Sequence, residues 1–169
     1  MKAGGDPLQA ALKALPHGPE FRFLDRLLSL VPGQSGVGEY RVREDDFFLR
    51  GHLPGEPMLP GVLLVEAAAQ LAGVVAQNDP DVPPLPRLKL AALRAVKFMG
   101  TARPGETVRL EACITARLGS LVQAIASAFV AGVRIMTAEL VLSGTPPPGS
   151  TLSAGSATGE TIDSPPAKC

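Results

Sequence analysis

Apolar residues follow different periods along this chain, and each period predicts a different element. The first is short and helical. In DPLQAALKAL, Asp6 is placed as an N-cap, Pro7 at the first helical position and Gln9 three residues beyond the cap, and Pro16 stops the run. FRFLDRLLSL (21–30) then reads as a strand, followed by VPGQ, whose Pro32-Gly33 pair suits a type II turn. SGVGEYRVR (35–43) alternates well enough to be the hairpin partner.

From Gly61 to Gln77 alternation gives way to an almost unbroken apolar run rich in alanine. Its length predicts a helix, and its lack of a polar face predicts burial on all sides. Pro60 and Gly61 mark the start, and NDPDVPPLP forms a stiff linker after the end. Strand patterns follow. RLKLAALRAVKFM (87–99) is ambiguous with a helix. ETVRLEACITARL alternates, placing Val108, Leu110, Ala112, Ile114, Ala116 and Leu118 on one face. LVQAIASAFVAGVRIMTAELVL reads as two strands meeting near Ala131-Gly132. The order predicts an α+β domain over residues 1–143, an antiparallel sheet wrapped around one long helix, with help from a second copy of the chain. Residues 144–169, rich in Pro, Gly, Ser and Thr, bury too little to offset their ordering entropy and are expected to form a disordered tail.

Composition narrows the function. The 16 basic and 16 acidic residues balance, which argues against a nucleic-acid partner. Two cysteines make neither a disulfide framework nor a metal cluster and fit a reducing compartment. The longest apolar stretch is broken by Glu66 and Gln70 and is short for a bilayer span, so no membrane insertion and a cytoplasmic location are expected.

Two residues stand out as chemistry. Glu66 lies about a turn and a half into the expected helix, and its side chain leans back towards a first turn whose N–H groups lack intrahelical partners. Gln70, four residues on, shares that face and is placed to hydrogen-bond the carboxylate. Apolar company suits a carboxyl that exchanges a proton near neutrality. A charge on a partly solvated helix edge fits the same spacing equally well. His52 sits in GHLPGEP, where Gly and Pro fix the loop, and imidazole serves as a base near neutral pH. A lone loop histidine is more often structural. His17, in LPHG after the first helix, reads as a capping or packing residue.

The stretch GHLPGEPMLPGVLLVEAAAQ resembles the signature of the 3-hydroxyacyl-acyl-carrier-protein dehydratases, especially those of FabZ type. Gly51, His52, Pro54, Gly55, Pro57, Pro60, Gly61, Val62, Glu66, Ala67, Ala69 and Gln70 fall on the family's positions in register. LPH (15–17), LDR (24–26), FF (47–48), KF (97–98) and PGE (104–106) extend the likeness over about residues 10–143. Leu53 replaces the usual Phe, and Glu20 and Arg22 stand where the family has Pro and apolar residues.

The resemblance implies the hot-dog fold, in dimers or trimers of dimers, with active sites at the dimer interface. It implies that His52 removes the α-proton of a 3-hydroxyacyl thioester and that Glu66, or a water it holds, protonates the departing hydroxyl, the two residues coming from opposite subunits. Gly61 and Val62, at the helix start after Pro60, would receive the thioester carbonyl, with Gln70 in support. No metal or redox cofactor is implied. The substrate would be carried on acyl-carrier protein or coenzyme A. Between Arg87 and Arg117, seven basic residues (Arg87, Lys89, Arg94, Lys97, Arg103, Arg109, Arg117) against Glu106 and Glu111 would steer an acidic carrier. Two other functions share the fold: an acyl thioesterase using Glu66 alone, and a non-catalytic acyl-thioester binding module.

Overall fold

The structure, a computed structural model, describes residues 6–145. Most of the tail expected over 144–169 therefore lies outside the described residues. The chain forms a short helix α1 (Pro7–Lys13), strands β1 (Arg26–Val31) and β2 (Ser35–Arg41), a long helix α2 (Gly61–Gln77), and strands β3 (Lys89–Phe98), β4 (Thr107–Leu118), β5 (Leu121–Val130) and β6 (Val133–Ser143). All six strands join one antiparallel sheet in the order β1-β2-β4-β5-β6-β3.

Local chemistry accounts for most boundaries. Asp6 Oδ1 accepts from Leu8 N at 3.0 Å, capping α1. β1 begins later than expected, because residues 19–21 wind into a single 3-10 turn that opens on Pro19. The β1–β2 turn closes through Gln34 N to Val31 O at 3.0 Å, with Gly33 at φ +69°, as the Pro-Gly pair predicts.

α2 occupies the bounds its apolar run predicts, and eleven of its residues are buried, Leu64, Leu71 and Val75 among the most enclosed. It lies against β2, β4, β5 and β6. The close approach to β2 needs Gly36, where an added Cβ would sit 2.7 Å from Val75 Cγ2. This is the hot-dog arrangement.

The strand patterns hold with one correction, in β4, and one ambiguity resolved, in β3. The alternation in β4 holds through Val108, Leu110 and Ala112, but its register against β5 shifts between Ile114 and Ala116. The irregularity breaks the face, and Leu118 ends exposed rather than buried. The 87–99 segment is a strand, not a helix, but it lies at the edge of the sheet and almost every residue is exposed. Its register against β6 breaks between Arg94 and Lys97, where Ala95 takes φ +48°. Among the described residues, no helix is long and apolar enough to cross a membrane.

Candidate active site

The site grows from one face of α2. Pro60 supplies the carbonyl that accepts from Leu63 N at 2.9 Å and Leu64 N at 3.3 Å. The N–H groups of Gly61 and Val62 therefore precede the helical ladder, at the positive end of the helix dipole. Gly61 is required here by packing. Phe98, at the end of β3, lies over it, and a Cβ would fall 2.9 Å from the ring. Val62 beside it is widely exposed.

One and a half turns further on, Glu66 is half-buried, and Gln70 is a polar residue buried in the core. Gln70 Nε2 donates to Glu66 Oε1 at 3.0 Å, the contact that four-residue spacing predicts. The same nitrogen donates to Phe21 O at 2.9 Å, while Gln70 Oε1 accepts from Phe23 N at 2.9 Å. Its amide is thus satisfied at both ends, as burial demands. Gln70 holds the carboxylate and pins the chain between α1 and β1 onto the helix.

That pinned segment brings in a residue the sequence passed over. His17 Nε2 lies 3.3 Å from Glu66 Oε1. Its ring stacks on Phe21, with centroids 6.4 Å apart, and the Arg22 guanidinium donates to its carbonyl at 3.1 Å. Read as a capping or packing residue, His17 instead stands at the carboxylate. No spacing rule links positions 17 and 66; the connection runs through Gln70 and becomes visible only in the fold.

Beside this group a cavity of about 590 Å³ runs along α2. Glu66 and His17 line one part, Gly73 leaves the helix face open, and Leu85 and Leu142 add apolar wall. From Glu66 to Gln77, also at its wall, the helix rises about 16 Å.

His52 is not part of this assembly within one chain. It is half-buried in the loop between the 3-10 turn Phe47–Arg50 and α2, and it does not line the cavity. No hydrogen bond or ion pair joins it to Glu66 among the described residues. The loop is tied down at its far end by Leu59 N to Ala102 O at 2.8 Å, and within it Glu56 N donates to Leu53 O at 3.0 Å. Leu53, next to His52, takes φ +49°, a left-handed conformation unusual for a branched apolar residue.

The basic stretch is narrower than its count predicts. Arg117 is spent on the carbonyls of Ala76 and Pro83 and lies 3.9 Å from Asp79. Arg109 pairs with Glu111, and Arg103 with Glu56. Arg87, Lys89, Arg94 and Lys97 are exposed along and just before β3.

Comparisons with known proteins bear on the family and the fold. The model of the FabA-like domain matches residues 15–139. The FabZ 3-hydroxyacyl-[acyl-carrier-protein] dehydratase of Chloroflexus aggregans is 35% identical over 141 residues, covering 83% of this chain and 96% of that protein. Its counterpart from Geobacter metallireducens is 37% identical over 134 residues, 76% of this chain and 87% of that one. Among solved structures, the dehydratase heterocomplex ApeI:P from Xenorhabdus doucetiae matches with a TM-score of 0.66 at 18% identity, over 78% of this chain and 88% of that one, a likeness of fold. A family model spanning most of the chain and relatives aligned over nearly their whole length lead to one conclusion: this chain belongs to the FabA-like family.

Proposed function

We propose that the chain is a 3-hydroxyacyl-[acyl-carrier-protein] dehydratase, converting 3-hydroxyacyl thioesters to trans-2-enoyl thioesters and water in fatty-acid or related lipid synthesis. The observation that carries this reading is a helix carboxylate, Glu66, oriented by Gln70 at the wall of an apolar cavity long enough for an acyl chain. In the reaction the electron pair of the Cα–H bond becomes the new double bond as the Cβ–oxygen bond breaks. His52 takes the α-proton, and Glu66 delivers a proton to the departing hydroxyl. The Gly61 and Val62 N–H groups receive the thioester oxygen as negative charge develops on it.

His52 and Glu66 do not meet in one chain, so the proposal includes a homodimer in which each site takes one residue from each chain. The unpaired outer edge of β3 supports this. It exposes Leu90, Leu93 and Phe98, and an exposed apolar edge strand is a template for pairing with another chain. Further assembly of such dimers into trimers belongs to the same proposal. Arg87, Lys89, Arg94 and Lys97 are the cations available to an acidic carrier protein. A cytoplasmic location rests on the carrier-linked substrate class alone.

Product analysis tests the reaction. Purified protein given 3-hydroxyacyl-carrier-protein is expected to yield the enoyl product, and Glu66→Gln and His52→Ala are each expected to lower turnover about 100- to 10,000-fold. Release of free thiol without enoyl product would instead identify a thioesterase. Binding without turnover would identify a carrier module.

A further inference from the structure

We propose that His17 is a positioning residue for Glu66: its ring N–H fixes one carboxylate oxygen, Oε1, and so leaves Oε2 as the oxygen that hands the proton to substrate. The inference rests on the dehydratase reading and deepens it. Two groups converge on Oε1: Gln70 Nε2 donates to it at 3.0 Å, and His17 Nε2 stands 3.3 Å away, within reach of an ion pair. Among the described residues Oε2 takes part in no hydrogen bond or ion pair. With Gln70 bonded to Oε1 and His17 beside the same oxygen, Oε2 is the oxygen left to face the substrate.

The ring's own surroundings decide where its proton sits. Nδ1 is buried and has no hydrogen-bond partner among the described residues. A proton there would be an unpaired buried donor, the costlier arrangement, whereas a proton on Nε2 has the Glu66 carboxylate within 3.3 Å. His17 is also held from three sides: Phe21 stacks on the ring, Arg22 binds the carbonyl, and Gln70 ties down the backbone at Phe21 and Phe23. The His17 side chain keeps 30% of its accessible surface and lines the same cavity as Glu66, which a residue serving only as core filler would not do. During elimination the Oε2 proton passes to the hydroxyl leaving Cβ, the C–O pair stays on that oxygen, and water departs while Oε1 keeps Gln70 and His17 beside it.

The test compares two substitutions in the full-length protein with a 3-hydroxyacyl-carrier-protein substrate, reading kcat, KM and thermal midpoint. His17→Phe keeps a ring against Phe21 but cannot donate; His17→Gln keeps a donor. The expected result is a fall in kcat of about 10- to 100-fold for His17→Phe with KM within about twofold of wild type, and recovery of most of that loss in His17→Gln. Thermal midpoints close to wild type in both variants show that the loss is not one of folding. If the phenylalanine variant does not fold, His17→Gln against His17→Leu makes the same comparison. Undiminished kcat in the non-donating variant overturns the inference, and so does a glutamine variant as impaired as it. Absence of enoyl product from the wild-type protein would instead refute the dehydratase reading, so the two failures are separable.

Discussion

Tyr40 shows how strongly single side chains are conditioned by their partners here. It is the one tyrosine of the chain, it is buried, and its hydroxyl donates to Asp46 Oδ2 at 2.7 Å. Burial first, then the hydrogen bond to Asp46 and that residue's negative charge, push the phenol well above its ordinary range. Below the unfolded pKa of about 10, both states hold the proton and the full stability is present. Above it the unfolded chain loses its proton first, so the native state binds more protons and stability falls as pH rises towards the folded pKa. The slope attributable to Tyr40 approaches about 1.4 kcal/mol per pH unit. Denaturant titrations between pH 9 and 11 are expected to show this decline in the wild type and a shallower one in Tyr40→Phe. Equal slopes would remove Tyr40 from the account.

Nearby, Asp25 and the Arg43 guanidinium pair closely, and that hydrogen bond, ahead of Asp25's charge, holds the arginine above even its usual range. It stays charged throughout such a titration and does not confuse the comparison.

At the scale of elements, the helix start is the most exacting junction. Gly61 faces the Phe98 ring so closely that even a methyl group forces one of them to move. Gly61→Ala is expected to destabilise the protein by about 1–3 kcal/mol and to reduce turnover, since displacing the first turn moves the Gly61 and Val62 N–H groups. Adding Phe98→Ala should restore much of the stability, measured by denaturant midpoint. If the double variant is no better than the sum of the two single ones, the ring is not what demands glycine at 61.

The helix itself was legible in the sequence, because a long run without a polar face has few folded solutions. Gln70's bond to Glu66 was legible for a related reason, since four-residue spacing on a helix fixes neighbours. What lay hidden was non-local. The β4 irregularity near Ile114 leaves a perfect alternation in the sequence, yet Leu118 ends exposed. His17 reaches Glu66 only because Gln70 draws a distant segment onto α2. The residues of the basic stretch look alike in sequence, but backbone carbonyls and acidic neighbours claim three of them in the fold.

At the scale of the molecule, one chain holds half of the proposed chemistry at the cavity. Glu66, Gln70 and His17 stand together there, His52 stands apart, and β3 leaves an edge open to another chain. A shared site makes a demand that no single-chain site makes: two proteins, each inactive for a different reason, must restore one another. Equal amounts of Glu66→Gln and His52→Ala protein, unfolded together and refolded, form mixed dimers in which one of the two sites has both its histidine and its glutamate intact. With random pairing, half the dimers are mixed, so enoyl formation from 3-hydroxyacyl-carrier-protein should recover to roughly a quarter of the wild-type rate, while each variant refolded alone stays inactive. A refolded mixture that is properly assembled yet no more active than its separate components would contradict the shared site, and with it the assignment of His52 and Glu66 as partners across two chains.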